Sequence, residues 1–206
     1  MLAIAGGKGG CGKTTTTVGL ARALAAMGHR PVVVDADCDM PDLHTVARTP
    51  FEPGLGALED GSVAAVTHES SRFAGVRVVP AGTARTAGST LHRLRDLDEP
   101  VLVDCPAGAS PAAADPLRIA DETALVSTAH PESLEDVAKT AAIARTLGTP
   151  PVGAVLTRTA RSHPVGSLLD CPLLGTVPDV ADDALGASAV RSAYRSVATT
   201  LLEQNT

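Results

Sequence analysis

The segment Gly7-Lys8-Gly9-Gly10-Cys11-Gly12-Lys13-Thr14 leaves this chain few ways to fold. It follows a short apolar run, Leu2–Ala5, and precedes a periodic stretch, Thr14–Met27, so it joins a strand to a helix. The spacing is G-x-x-x-x-G-K-[ST], in which glycines let backbone N–H groups turn inward around phosphate oxygens. The helix that follows adds favourable partial charge at its N-terminus. In such a loop Lys13 reaches the β and γ phosphates of a nucleotide, and the Thr14 hydroxyl goes to Mg2+. The same glycines also satisfy a rival pattern, because Gly7, Gly9 and Gly12 spell G-x-G-x-x-G and Asp35 follows about 20 residues later. Lys13 and Thr14 decide between the two, since a dehydrogenase needs neither a lysine on a terminal phosphate nor a hydroxyl on Mg2+. Lysine usage agrees: the chain has Lys8, Lys13 and Lys139 against fourteen arginines. Two of its three lysines therefore lie in this loop, where a compact point charge fits among phosphates.

Beyond the loop, short β-rich apolar runs alternate with Ala-rich helical patterns, which predicts an α/β fold, a mostly parallel sheet with helices on both faces. Pro31–Val34, Val76–Val79, Val101–Val103, Ala124–Ser127 and Val152–Leu156 read as buried strands. Ser133–Leu147 reads as a helix ended by Gly148 and Pro150–Pro151, and Gly28 fits just past the end of the first helix. The stretch from Asp39 to Gly61, with three prolines, reads as a loop plus a short helix. The last helix is expected over Asp182–Glu203, with Val190, Ala193, Tyr194, Val197 and Leu201 on one side. No repeat or linker interrupts the pattern, so residues 1–206 are expected to form a single domain.

Composition narrows the function. Seventeen basic and 23 acidic side chains give a net charge of −6, which argues against a nucleic-acid binder acting through bulk positive charge. Aromatic residues are limited to Phe51, Phe73 and Tyr194, too few for a platform that stacks bases. Cys11, Cys38, Cys105 and Cys171 are dispersed, without the paired spacing of a zinc site or a disulfide framework, as expected in a reducing compartment. The N-terminus lacks the pattern of a secretory signal, and no apolar stretch has the length of a spanning helix. A soluble, cytoplasmic protein is expected.

Lys8 through Thr15 resembles the deviant phosphate-loop motif KGGxGKT[ST] of the MinD/ParA/Mrp group of P-loop ATPases. Other stretches fit the same group. Asp35-Ala36-Asp37 follows the second strand; Val101–Asp104 is an apolar strand ending in an acid; Cys105-Pro106-Ala107-Gly108 is similar to its D-x-P-A-G switch segment. Weaker matches are Val76–Gly82, Ala120–Glu122, His130–Glu132 and Pro172–Asp179, so the likeness runs over about residues 2–203. The resemblance implies ATP and Mg2+ as cofactors. It makes Lys8, Lys13 and Asp37 the catalytic set, with Lys8 reaching across a dimer interface to the neighbouring subunit's ATP and Asp37 directing the attacking water. Thr14, Asp35 and Asp104 become the metal set, the acids acting through the hydration shell of Mg2+. The expected nucleotide contacts are Gly7, Gly9, Gly10, Cys11, Gly12, Lys13, Thr14 and Thr15, joined by Thr157, Arg158 and Pro178 near the base. One departure is Thr157-Arg158, where MinD-like members carry Asn-Arg; a hydroxyl offers adenine less than an amide does.

The function implied is an ATP hydrolase, slow alone and stimulated by a partner, that dimerises with ATP and acts in spatial positioning or cell division. A cargo or activating protein partner is expected, and direct membrane or DNA binding is not indicated, so any recruitment to a membrane runs through a partner. A ParA-like segregation ATPase is the alternative within the group. An Mrp-like iron–sulfur carrier is the other, but it relies on paired C-terminal cysteines, and Cys171 stands alone.

Overall fold

Four-residue runs of Val, Leu, Ile and Ala are too short for helices and too apolar for a half-wet strand, so they pair side by side under helices. A computed structural model describes residues 1–181 and 183–204 of the chain. The strands are β1 (Leu2–Ala5), β2 (Val32–Asp35), β3 (His68–Glu69), β4 (Arg77–Val79), β5 (Val101–Asp104), β6 (Glu122–Thr128), β7 (Pro151–Thr157) and β8 (Leu173–Thr176). They form one sheet in the order β3-β4-β2-β5-β1-β6-β7-β8, parallel throughout except for the antiparallel edge strand β3. This is the predicted α/β architecture.

The helices are α1 (Lys13–Ala26), α2 (Leu43–Ala47), α3 (Val63–Val66), α4 (Gly88–Leu91), α5 (Pro111–Ile119), α6 (Pro131–Thr146), α7 (Gly166–Leu169) and α8 (Ser188–Gln204). Alternate strand residues feed two cores. Ile4, Val33, Val78, Leu102 and Val126 pack with α1, α2 and α8 on one face. Ala3, Val34, Val79 and Val103 meet α4 and α5 on the other, where Leu125, Ala154 and Leu156 meet α6 and α7. The period of two that puts neighbouring strand residues on opposite faces explains why each run is apolar without a break.

α1 and α8 lie close because Gly19 has no side chain: a Cβ there would sit 2.3 Å from the Tyr194 ring. Tyr194 is the largest fully buried residue, and its hydroxyl meets Thr16 Oγ1 at 3.1 Å. The expected strands and long helices are present with ends shifted by at most two residues. α8 is the exception. It begins at Ser188 because Asp183, in left-handed backbone at φ 36°, accepts the Gly186 N–H and closes a separate 3-10 turn, Ala184–Gly186. Asp182, where the sequence placed the start, lies outside the described residues. β8, between Pro172 and Pro178, was read only as part of a motif. Among the described residues no helix is long and apolar enough to cross a membrane.

Candidate functional site

Parallel strands share one carboxyl edge, and three of them deliver the sequence-predicted groups there. β1 runs into the glycine loop, β2 ends at Asp35 and β5 ends at Asp104, with Asp35 and Asp104 opposite each other in register. The loop turns into α1 through Gly10 at φ 73° and Gly12 at φ 95°, backbone that residues with a Cβ rarely adopt. Gly9 and Gly10 are exposed, and a side chain at either would meet no other atom within 4 Å of its start. Lys13, the first residue of α1, is 8% exposed, with half-buried Thr14 and Thr15 beside it. The Thr157 hydroxyl donates to the Cys11 carbonyl at 2.7 Å, and its methyl would crowd any side chain at Gly12. Position 157, expected near the base, thus braces the loop from below.

Asp35 is fully buried. Its two oxygens accept the backbone N–H groups of Asp37 at 3.2 Å and Leu43 at 3.1 Å, so it holds the segment that carries Asp37. Asp37 is half-buried, and its Oδ1 accepts the Met40 N–H at 3.1 Å. Asp104 is 2% exposed, and Thr17 donates to it at 3.4 Å. Burial, then the neighbouring Asp104, pushes the Asp35 carboxyl up to about 8. Burial pushes Asp104 up to about 7, against the pull of the Thr14 hydroxyl and Lys13. Two buried carboxyls held above their ordinary range stand near a threonine hydroxyl, and hard oxygen donors of this kind are chemically suited to Mg2+.

This pair makes a stability prediction. A carboxyl whose pKa is higher in the folded than in the unfolded chain keeps its proton in the fold. Its stabilisation is complete below the unfolded value near 4 and is lost as pH rises through the folded value. The melting temperature of the nucleotide-free protein is therefore expected to fall between about pH 4 and about pH 8. Asp35→Asn should flatten the slope, and millimolar Mg2+ should restore stability at the alkaline end. A melting temperature that rises steadily over this window would contradict the assignment.

Lys8 stands at the rim. Its side chain is 43% exposed, and Nζ lies 3.6 Å from Glu132 Oε2 in the first turn of α6. The two lysines of one loop are thus separated, one in the cradle and one outside. A cleft of about 470 Å3 runs past Lys8, Gly9 and Gly10 to Thr128, His130 and Arg158. A smaller one of about 270 Å3 continues to Thr159 and Asp179, next to Pro178. Arg158 borders both clefts and holds left-handed backbone at φ 55°, the kind of local strain that collects at functional sites. The sequence reading had not given roles to Thr128, His130 and Glu132. Their signal was Pro131 at the first position of a helix directly after a strand. The segment after Asp104 also lies against the loop: Gly108, at φ 85°, donates its N–H to the Gly6 carbonyl at 3.3 Å, and Cys105 is buried. All four cysteines are free thiols, and among the described residues no three or more of His, Cys, Asp and Glu are grouped so that they could hold a metal ion.

Comparison with known proteins agrees with this geometry. Residues 2–181 match the family model described as the CobQ/CobB/MinD/ParA nucleotide binding domain. An uncharacterized ATP-binding protein of Methanocaldococcus jannaschii is 31% identical over 196 residues, covering 86% of this chain and 74% of that one. The crystal structure of the cell division ATPase MinD of Pyrococcus furiosus superposes with a TM-score of 0.85 at 25% identity, over 98% of both chains. MinD of Pyrococcus horikoshii in complex with Mg-ADP has the same TM-score at 24% identity, covering 99% of this chain and 96% of that one.

Proposed function

The chain belongs to the CobQ/CobB/MinD/ParA nucleotide-binding family, and on that premise we propose that it is a Mg2+-dependent ATPase acting as an ATP-driven dimerisation switch of the MinD kind. ATP and Mg2+ are its cofactors. The observation that carries the switch is the division of labour between the lysines: Lys13 is buried in the cradle, while Lys8 stands on the rim with its charge turned outward. A loop serving only its own nucleotide needs the first. The second suits a triphosphate presented by a neighbouring subunit.

In this reading the loop N–H groups and Lys13 bind the β and γ phosphates, and Thr14, Asp104 and Asp35 are the residues that would hold Mg2+, the two acids through water. Bound Mg2+ supplies charge neutralisation at the phosphate oxygens. Asp37 orients a water molecule and takes its proton as the water oxygen bonds to the γ phosphorus and the bond to ADP breaks. Segment 105–108, bonded to the loop through Gly108, changes when the γ phosphate leaves, and the dimer opens. Slow turnover, stimulation by a protein partner, a role in spatial positioning or cell division, and a cytoplasmic site of action belong to the same proposal, with residues 1–206 working as one domain.

Sizing by light scattering with Mg-ATP tests it. Wild type is expected to double in mass with Mg-ATP and not with Mg-ADP. Lys8→Ala should bind ATP within about threefold of wild type, since its ion pair with Glu132 is exposed and weak. It should nevertheless remain a monomer and lose turnover. A Lys8→Ala protein that still dimerises and hydrolyses ATP normally would overturn the switch and leave a simple nucleotide-binding domain.

A further inference from the structure

A second concave site shares no residue with the phosphate loop. A groove of about 410 Å3 runs between α1 and α8, floored by Ala23, Leu185, Val190 and Tyr194 and edged by Arg22, Arg191 and Arg195. Among the described residues, none of these three arginines has a carboxylate within ion-pair distance. Arg22 and Arg191 each donate to a backbone carbonyl, Leu185 and Gly186, which fixes them without neutralising them. Arg22 also lies over the Phe73 ring at 4.8 Å, with Arg72 at the same distance. Arg72 pairs with Asp183. Burial, then Arg191 and Arg72, lowers the proton affinity of Arg22, while Asp183 opposes the shift. In a chain of net charge −6, unneutralised cations gathered round an apolar floor mark an interaction surface.

We propose that the α1–α8 groove is a docking site for an acidic, partly apolar peptide segment of a protein partner, its carboxylates paired with Arg22, Arg191 and Arg195 and its apolar side chains on the floor. Duplex nucleic acid fits less well. The pocket admits a few side chains rather than a phosphate backbone, the net charge repels a long polyanion, and Phe73 is already covered by two guanidinium groups. An arginine rim suits carboxylates, because each planar guanidinium can take one in bidentate fashion. The site also touches the nucleotide machinery: α1 begins with Lys13, and Thr16 of the same helix is bonded to Tyr194 in the groove floor.

The test uses the whole protein without nucleotide, so that its result is separable from that of the dimer switch. The probe is a fluorescent synthetic peptide of about twelve residues alternating glutamate with leucine, beside the same peptide with glutamine for glutamate. Wild type is expected to bind the acidic probe at least about tenfold more tightly than the neutral one, and more weakly as salt rises from about 50 to about 300 mM. Exposed Arg191 and Arg195 are the positions to change. Arg191→Glu/Arg195→Glu should weaken binding about tenfold or more with the melting temperature kept, and Arg191→Lys/Arg195→Lys should recover most of it. Equal binding by wild type and the charge-reversed protein overturns the proposal. So does displacement of the probe by a short DNA duplex at lower concentration than by unlabelled peptide, which would assign the groove to nucleic acid. An arginine-dependent rise in mass with protein concentration alone would assign it to a second copy of the chain.

Discussion

Lys13→Ala is expected to weaken Mg-ATP binding at least about a hundredfold. The side chain is 8% exposed, and among the described residues no carboxylate lies within ion-pair distance of it. No hydrogen bond or ion pair within the described residues occupies the ammonium, so it is free to bind the phosphates of a ligand. Each charge-assisted bond to phosphate is worth about 1.5–3 kcal/mol, and two of them give a factor of about 10² to 10⁴. Lys13→Arg should not rescue it, because the planar guanidinium is larger than the ammonium the cradle holds. The apoprotein should melt within a few degrees of wild type, since among the described residues the side chain makes no hydrogen bond or ion pair for alanine to remove. Titration calorimetry measures the first effect and scanning calorimetry the second. Affinity within tenfold of wild type would mean that Lys13 does not face the phosphates.

Legibility in the sequence followed chemical uniqueness. The glycine loop was readable because only Gly-rich backbone followed by Lys-Thr and a helix serves that geometry, and Gly10 and Gly12 do adopt left-handed backbone. The strands were readable because continuous apolar runs of four residues have few other uses, and the register that sets Asp35 opposite Asp104 then follows from their strand ends. What stayed hidden depended on three-dimensional neighbours. Asp35 read as a metal acid, and the backbone N–H groups that both its oxygens accept, from the segment that presents Asp37, could not be read from the sequence. Thr157 read as a base contact, and its donation to the Cys11 carbonyl could not be read from the sequence. The start of α8 was misplaced because the periodicity continues upstream of Ser188, while a single side-chain bond from Asp183 ends the regular helix there. The arginines of the α1–α8 groove come from positions 22, 191 and 195, and no local pattern brings them together. Pattern reports which groups a chain owns; packing decides which of their atoms are still free.

Asp37→Ala is expected to lower ATP turnover about 10² to 10⁴-fold while nucleotide binding and the ATP-bound dimer survive. Asp37 divides its two oxygens: Oδ1 accepts the Met40 N–H, and among the described residues Oδ2 has no hydrogen-bond partner. One oxygen thus shapes the loop, and the other is open to a water molecule. Alanine removes both roles together, so Asp37→Asn separates them. The amide oxygen can still accept from Met40 and keep the loop in place, but the side chain can no longer take a proton at neutral pH. If Asp37 acts on the water, Asn and Ala variants lose turnover alike, and both accumulate as ATP-bound dimers visible by light scattering. If Asp37 only shapes the loop, Asp37→Asn keeps most of the activity and Asp37→Ala alone fails. Asp35→Asn provides the complementary case, because its amide NH2 would face a backbone N–H that the carboxylate accepted. That variant should disturb the loop and weaken Mg-ATP binding as well as turnover, whereas a defect confined to the chemical step belongs to Asp37.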